Sequence, residues 1–334
     1  MSEFSTPKPD KSRVSKIPKT PINIPPSPFM KKLGYGTGVS VFRWDRSPRP
    51  DTVRSPWALK KLNKRDLPKV FEQRLEKEAK LLKSLKHPNI VGFRACVPGK
   101  DGRMTLAMES CESSMADRIE DRKNDGMGPF ESNIILKVAL GVARGLDYLH
   151  RERKLLHGDM KSFNILIKGN YEEIKICDFG VSLALDSDGM VVNPDGFVGT
   201  SVWSAPETVG LCEKAVSAKV DIFAFGLVLW EMIALEIPHT DDLEESNFDI
   251  SITEDDLENR IVLRWVLRVI PGTRPALPPV DLDDTYNSIM EIFYCCTELD
   301  PSARPSAQLL VEWLEDITGE KPLDLSDDEM AIDH

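Results

Sequence analysis

From Phe29 onward, short apolar and β-branched runs alternate with turn-forming residues, and past Cys111 the apolar positions recur at helical spacing instead. "FMKKLGYGTGVSVFRW" (29–44) predicts two strands joined by a glycine-rich turn. After the loop "RSPRPDTVRSP", "WALKKL" predicts a third strand, and "NIVGFRACV" and "RMTLAMES" predict two more. Between these, "KVFEQRLEKEAKLLKSL" carries Leu75, Ala79 and Leu82 at helical spacing on a charged background, which predicts an amphipathic helix. "ESNIILKVALGVARGLDYLHRER" (Glu131–Arg153) is helix-periodic and free of proline. "DIFAFGLVLWEMIAL" is apolar nearly all round, the pattern of a helix buried on every side. "DTYNSIMEIFYCCTEL" and "SAQLLVEWLEDIT" predict further amphipathic helices. Strands first and helices afterwards predict an α+β fold in two lobes, about 29–110 and 111–318. Residues 1–28, rich in Pro, Ser, Lys and Thr, predict a disordered tail, and 319–334 an acidic one.

Composition narrows the class. The 334 residues, 41% hydrophobic and 29% charged, can bury the core of one large or two small domains. The longest apolar stretch, Ile222–Trp230, is far shorter than the ~20 residues a membrane span needs, so no membrane partner is expected. The polar N-terminus predicts no secretory leader. Six cysteines without CxxC spacing and five scattered histidines predict neither a disulfide framework nor a zinc site. An intracellular protein, cytoplasmic or nuclear, is the expectation. The net charge of -11 argues against nucleic acid as partner. It is uneven: residues 1–32 hold seven Lys/Arg against two Asp/Glu, while acid concentrates in an insertion at about 240–258 and in the last residues.

The chemistry lies in ordered motifs. "GYGTGVSV" places Gly34, Gly36 and Gly38 between strands, where a bare backbone can approach phosphates. Its spacing departs from GxGxxGxV, with Val39 where the third glycine belongs and Val41 at the closing valine. Lys60, in "WALK", is a candidate phosphate ligand; Glu78, nine residues before "HPNIV", is its expected partner and Glu76 the alternative. In "LLHGDMKSFNIL", Asp159 suits a hydroxyl proton acceptor, Lys161 a neutraliser of phosphoryl charge, and Asn164 a metal ligand. "IKICDFG" ends a strand at Asp178, a second oxygen ligand of the kind magnesium prefers.

The order and spacing of these motifs resemble a eukaryotic protein kinase over about Phe29–Thr318. "SAPE" (Ser204–Glu207), Asp221 in "DIFAFG" and Arg304 in "DPSARPS" extend the resemblance and imply structural roles and a protein-substrate platform. The resemblance implies ATP and Mg2+ as cofactors. It implies that Leu33, Gly34, Gly36, Gly38, Val41, Ala58, Lys60, Glu78, Met108, Glu109 and Ser110 line the nucleotide. Lys161 and Thr200 are similar to the Ser/Thr class, and "DFGVS" and "FVGT" to MAP kinase kinases, whose paired activation serines are Val192 and Gly196 here. A mitotic, MAP-kinase-kinase-like enzyme acting on protein Ser/Thr, with dual specificity open and MAP kinases as candidate substrates, is implied; the competing reading is a pseudokinase scaffold. A narrower, MAP-kinase-kinase-like subfamily shares "TPINIPPSPFMKKLGYGTGVSVF", the His-Gly-Asp glycine (Gly158) and the acidic insertion. PDZ binding, which that likeness would imply, is not carried over, because "AIDH" lacks a hydrophobic last residue. Thr6, Thr20 and Ser27 each precede proline and are expected targets of a proline-directed kinase. Gly158 offers no guanidinium to a phosphate on Ser182, Ser187, Thr200 or Ser201; Lys175 is the candidate substitute cation.

Overall fold

The computed structural model describes residues 30–36, 39–46, 55–62, 68–99, 102–194, 197–239 and 271–321. The expected tail with Thr6, Thr20 and Ser27, Gly38 in the glycine-rich turn, Gly196, the acidic insertion and the final residues lie outside this set.

An antiparallel five-stranded sheet, in order β1-β2-β3-β5-β4, forms the N-terminal lobe: β1 Met30–Gly36, β2 Val39–Trp44, β3 Trp57–Leu62, β4 Phe93–Pro98 and β5 Met104–Glu109. One helix, α1 (Lys69–Ser84), buries Leu75, Glu78, Ala79 and Leu82, so its predicted apolar stripe includes one carboxylate. The expected strand "NIVGFRACV" begins only at Phe93, because Ile90 and Val91 are engaged by Ile176 of the other lobe.

The helical lobe contains α2 (Met115–Asn124), α3 (Ser132–Asp147), α4 (Lys219–Ala234), α5 (Asn287–Cys296) and α6 (Ala307–Thr318). The expected long helix from Glu131 ends as a wider π-type turn, Tyr148–Glu152. Short strands carry the catalytic-type motifs: β7 (Leu155–Leu156) precedes His157, and β8 (Ile165–Lys168) pairs with β6 (Ser113–Ser114) and with β9 (Glu173–Ile176), which ends two residues before Asp178. Gly145 lets α3 lie against this ladder, since a Cβ there would sit 2.7 Å from Ile176.

Everything converges on α4, buried from Val220 to Ile233 as its apolar pattern predicts. Two carboxylates interrupt that pattern. Asp221, 1% exposed, accepts from the backbone amides of His157 (2.8 Å) and Gly158 (2.9 Å) and is bonded to His150 Nε2 (2.8 Å). Glu231 accepts from Ser162 Oγ (2.6 Å) and Trp203 Nε1 (2.9 Å), tying two loops to the helix nearly three turns further on. Glu207 and Arg304, both fully buried, close a two-pronged pair at 2.8 Å that pins the segment after Trp203.

Burial pushes the Glu231 carboxyl up to about 7, against the opposing pull of its two hydrogen bonds. The folded chain therefore retains a proton that the unfolded chain releases near 4.5, and stability falls as pH rises from there to about 7. Glu231→Gln is expected to flatten that slope in urea unfolding, because a neutral amide still accepts from Trp203. Glu231→Ala is expected to lower stability by about 3 kcal/mol below pH 4.5, since two buried donors lose their acceptor, and the deficit should shrink as pH rises towards 7. One shared pH profile for wild type and Glu231→Gln would contradict this account.

Candidate active site

Sheet register sets one wall. Val41 pairs with Lys60 across β2–β3, and Ala58 with Met108 across β3–β5, so these four side chains share a face. Gly34 lies opposite Val41, and Leu33 falls at a register shift in β1. Glu109, one residue beyond Met108, pairs with Trp57 on the other face. Its carboxylate does not point at this wall: it accepts from Gly92 N (3.1 Å) and faces Lys175 (3.4 Å) and Lys168 (3.6 Å).

Lys60 crosses the cleft. Its Nζ donates to both Glu78 oxygens, at 2.9 and 2.8 Å, and reaches Asp178 Oδ1 at 2.9 Å. Glu76, the alternative partner, is exposed. Burial disfavours the Lys60 ammonium, but Asp178 and Glu78 outweigh it and hold its pKa raised. Burial also raises Asp178, yet Lys60 more than compensates and brings it to about 2. Glu78, deepest of the three, is pushed by burial up to about 7 despite the lysine. Asp178 is thus an anion at neutral pH, its backbone at φ +66°. The next residue, Phe179, is fully buried against the His157 ring.

The loop after β7 supplies the second half. His157 Nδ1 accepts from Asp159 N at 3.3 Å, so its Nε2 donates to Cys177 O at 2.9 Å. Asp159 Oδ2 accepts from Lys161 (2.7 Å) and Asn164 (3.2 Å), and its Oδ1 accepts from Thr200 Oγ1 (2.6 Å). Lys161 also donates to Thr200 Oγ1 at 2.7 Å, completing a triangle. The Asn164 amide nitrogen is turned to Asp159 O (2.7 Å), which leaves its amide oxygen as the donor it could offer a metal. Cys177 N bonds Asn164 O at 3.0 Å, so Asn164 and Asp178 sit side by side. Two oxygen donors beside the Lys60 ammonium match the sparse protein ligation that magnesium takes with nucleotide phosphates.

Several contacts were not legible in advance. Lys175 is no free cation for a loop phosphate: it is buried, donates to Pro88 O (2.9 Å) and pairs with Glu109 and Glu173. Ser182 is buried and donates to His157 O, while Lys77 of α1 donates to Ser182 O. The Ser162–Glu231–Trp203 bridge has no motif to mark it, although an acid within the apolar run of α4 was its signal.

Comparison with known proteins agrees with this geometry. The protein kinase domain profile matches residues 28–313. The human lymphokine-activated killer T-cell-originated protein kinase is 48% identical over 94% of this chain and 98% of its own length. Mitogen-activated protein kinase kinase kinase 13-B of Xenopus laevis is 36% identical over 52% of the chain, which spans 17% of that protein. The serine/threonine-protein kinase STY17 of Arabidopsis thaliana is 26% identical over 77% of the chain and 39% of its own length. Among the described residues no helix is long and apolar enough to cross a membrane. With its two-lobed fold and a domain match over most of its length, the chain belongs to the protein kinase family, enzymes that use ATP and a divalent metal to phosphorylate proteins.

Proposed function

We propose that this chain is an active, magnesium- and ATP-dependent protein kinase transferring the γ-phosphoryl group to serine and threonine hydroxyls. The observation that carries the reading is Lys60 held between Glu78 and Asp178, a lysine positioned by one carboxylate beside another that is ionised. Lys60 orients the nucleotide phosphates, with Val41, Ala58 and Met108 forming the wall for the base. Asp178 and Asn164 would hold magnesium, which supplies neutralisation of phosphate charge. Asp159 orients the acceptor hydroxyl and takes its proton, and Lys161 balances charge on the transferring group. A noncatalytic scaffold is disfavoured because none of these side chains is missing. Dual specificity, MAP kinases as substrates, a mitotic role and a cytoplasmic or nuclear setting belong to this reading through the resemblance in the sequence motifs.

Asp178→Asn and Lys60→Met are expected to reduce phosphoryl transfer to a generic protein substrate by about 100-fold or more, since each removes charge aimed at the reacting phosphates. Thermal melting should be little changed for Asp178→Asn. Parent-level transfer by that variant overturns the assignment.

Control by activation-segment phosphate is not expected. Gly158 has no side chain, Lys175 is engaged, and Thr200 is already held by Asp159 and Lys161. Exhaustive phosphatase treatment, or Ser187→Ala, should leave activity within about threefold, as for a segment that needs no new charge-assisted bonds. A hundred-fold loss restored by phosphorylating one segment hydroxyl would show that another receptor exists.

Regulation is assigned instead to the basic N-terminal segment, where Thr6, Thr20 and Ser27 precede proline. Phosphopeptide mapping of dividing cells is expected to find at least one of the three modified. A segment unmodified throughout division would sink the idea.

A further inference from the structure

Phe163 is a large apolar side chain left 50% exposed on the catalytic turn itself, between Lys161 and Asn164. Isolated exposed apolar residues are ordinary on protein surfaces, and Val70 and Met127 on other elements need no explanation. Phe163 differs in how it is held. Its ring meets Trp203 edge to face, at 6.2 Å and 86° between planes, and Trp203 is itself buried. The residue before Phe163, Ser162, and the indole of Trp203 both bond the same buried carboxylate, Glu231. The aromatic pair is therefore fixed in advance by the two loops that meet at Asp159. Val198, 52% exposed, lies two residues before Thr200, which bonds Asp159 directly.

Charge around the turn is already spent. Among the described residues of 155–166 and 197–208 the carboxylates are Asp159 and Glu207. Asp159 is taken by Lys161 and Thr200, and Glu207 by Arg304. Glu231 beneath them is buried with both oxygens occupied. No carboxylate here is free to receive an arginine or lysine of a substrate, whereas an aromatic face is open.

We propose that Phe163 is a specificity-determining residue, a docking face for a large apolar or aromatic side chain of the protein substrate close to its phosphoacceptor. The inference rests on the reading of the chain as an active kinase. Phe163 lies four positions after Asp159, a chain span of at most about 14 Å. An extended substrate advances about 3.3 Å per residue, so the recognised side chain falls within about four positions of the acceptor hydroxyl. Burying it against Phe163 removes apolar surface of both partners from water.

The test is a positional peptide library with one Ser/Thr acceptor, assayed with full-length wild type, Phe163→Leu, Phe163→Ala and Phe163→Glu. Wild type is expected to prefer Phe, Leu or Met at one position within four of the acceptor by about tenfold or more in kcat/KM, the scale of a filled apolar pocket. Phe163→Leu should keep the preference. Phe163→Ala should reduce it to below about threefold, mainly through the peptide KM, as loss of a ground-state contact does. Phe163→Glu should transfer selection at that position to Arg or Lys. Unchanged selectivity in an active Phe163→Ala, or selection of basic residues by wild type, overturns this inference and leaves the kinase reading standing. Failure of wild type to label any peptide overturns both.

Discussion

One carboxylate, Asp221, holds the catalytic turn against the helical core. Its two oxygens accept the amides of His157 and Gly158 and meet the His150 ring, all while the residue is 1% exposed. These bonds keep it ionised despite burial; the His150 contact is foremost among the effects that hold its pKa down. Because a buried charge is tolerated only when fully paired, Asp221 leaves the turn few alternative positions. From that anchor His157 reaches Cys177 O, the turn positions Asp159, and Asn164 O receives Cys177 N. The placement of Asp178, and through it of Lys60 and Glu78, is a consequence of a bond made on α4.

Gly158 has its meaning in this frame. Its φ of +82° is a left-handed conformation that glycine adopts without strain, and its amide is one of those Asp221 holds. An added Cβ would stand 3.4 Å from Val181 O and 4.0 Å from Phe197, so segment residues close over the place where a side chain would emerge. The segment is tied down by contacts with groups already in place: Ser182 to His157 O, Lys77 to Ser182 O, Thr200 to Asp159. Such contacts need no added phosphate to form. Glycine in place of arginine removes a guanidinium from the turn and leaves the bonds of Asp159 to Lys161, Asn164 and Thr200 in place.

The interior also holds ion pairs, although its core helix is apolar. Glu207–Arg304, Lys60–Glu78 and the Glu109–Lys175–Glu173 group each join segments distant in sequence. Buried pairs add little net stability over apolar packing, yet breaking one strands a charge. Here they select one arrangement of loops over many. The Glu109 group is an instance with functional bearing: it fastens the end of β5, next to the proposed base wall, to the β8–β9 ladder that ends two residues before Asp178.

Much of this organisation is written locally in the chain. Alternation before Cys111 and helical spacing after it, together with the all-round apolar α4, suffice for an α+β two-lobed fold, because burial of a face depends on period alone. The ordered motifs likewise identify the residue types of a phosphotransferase, since each chemical task restricts side chains at fixed spacing. Tertiary packing decided the rest. Which of Glu76 and Glu78 faces Lys60 depends on the rotation of α1 under the sheet, and only the buried one meets the ammonium. Lys175 reads as an available cation in sequence, but strand β9 turns it inward to Glu109. Glu231, Ser162 and Trp203 come from three separate stretches, and no spacing rule links them. Their meeting is a property of how the loops fold onto α4, and it is what leaves Phe163 displayed on the turn that carries Asp159.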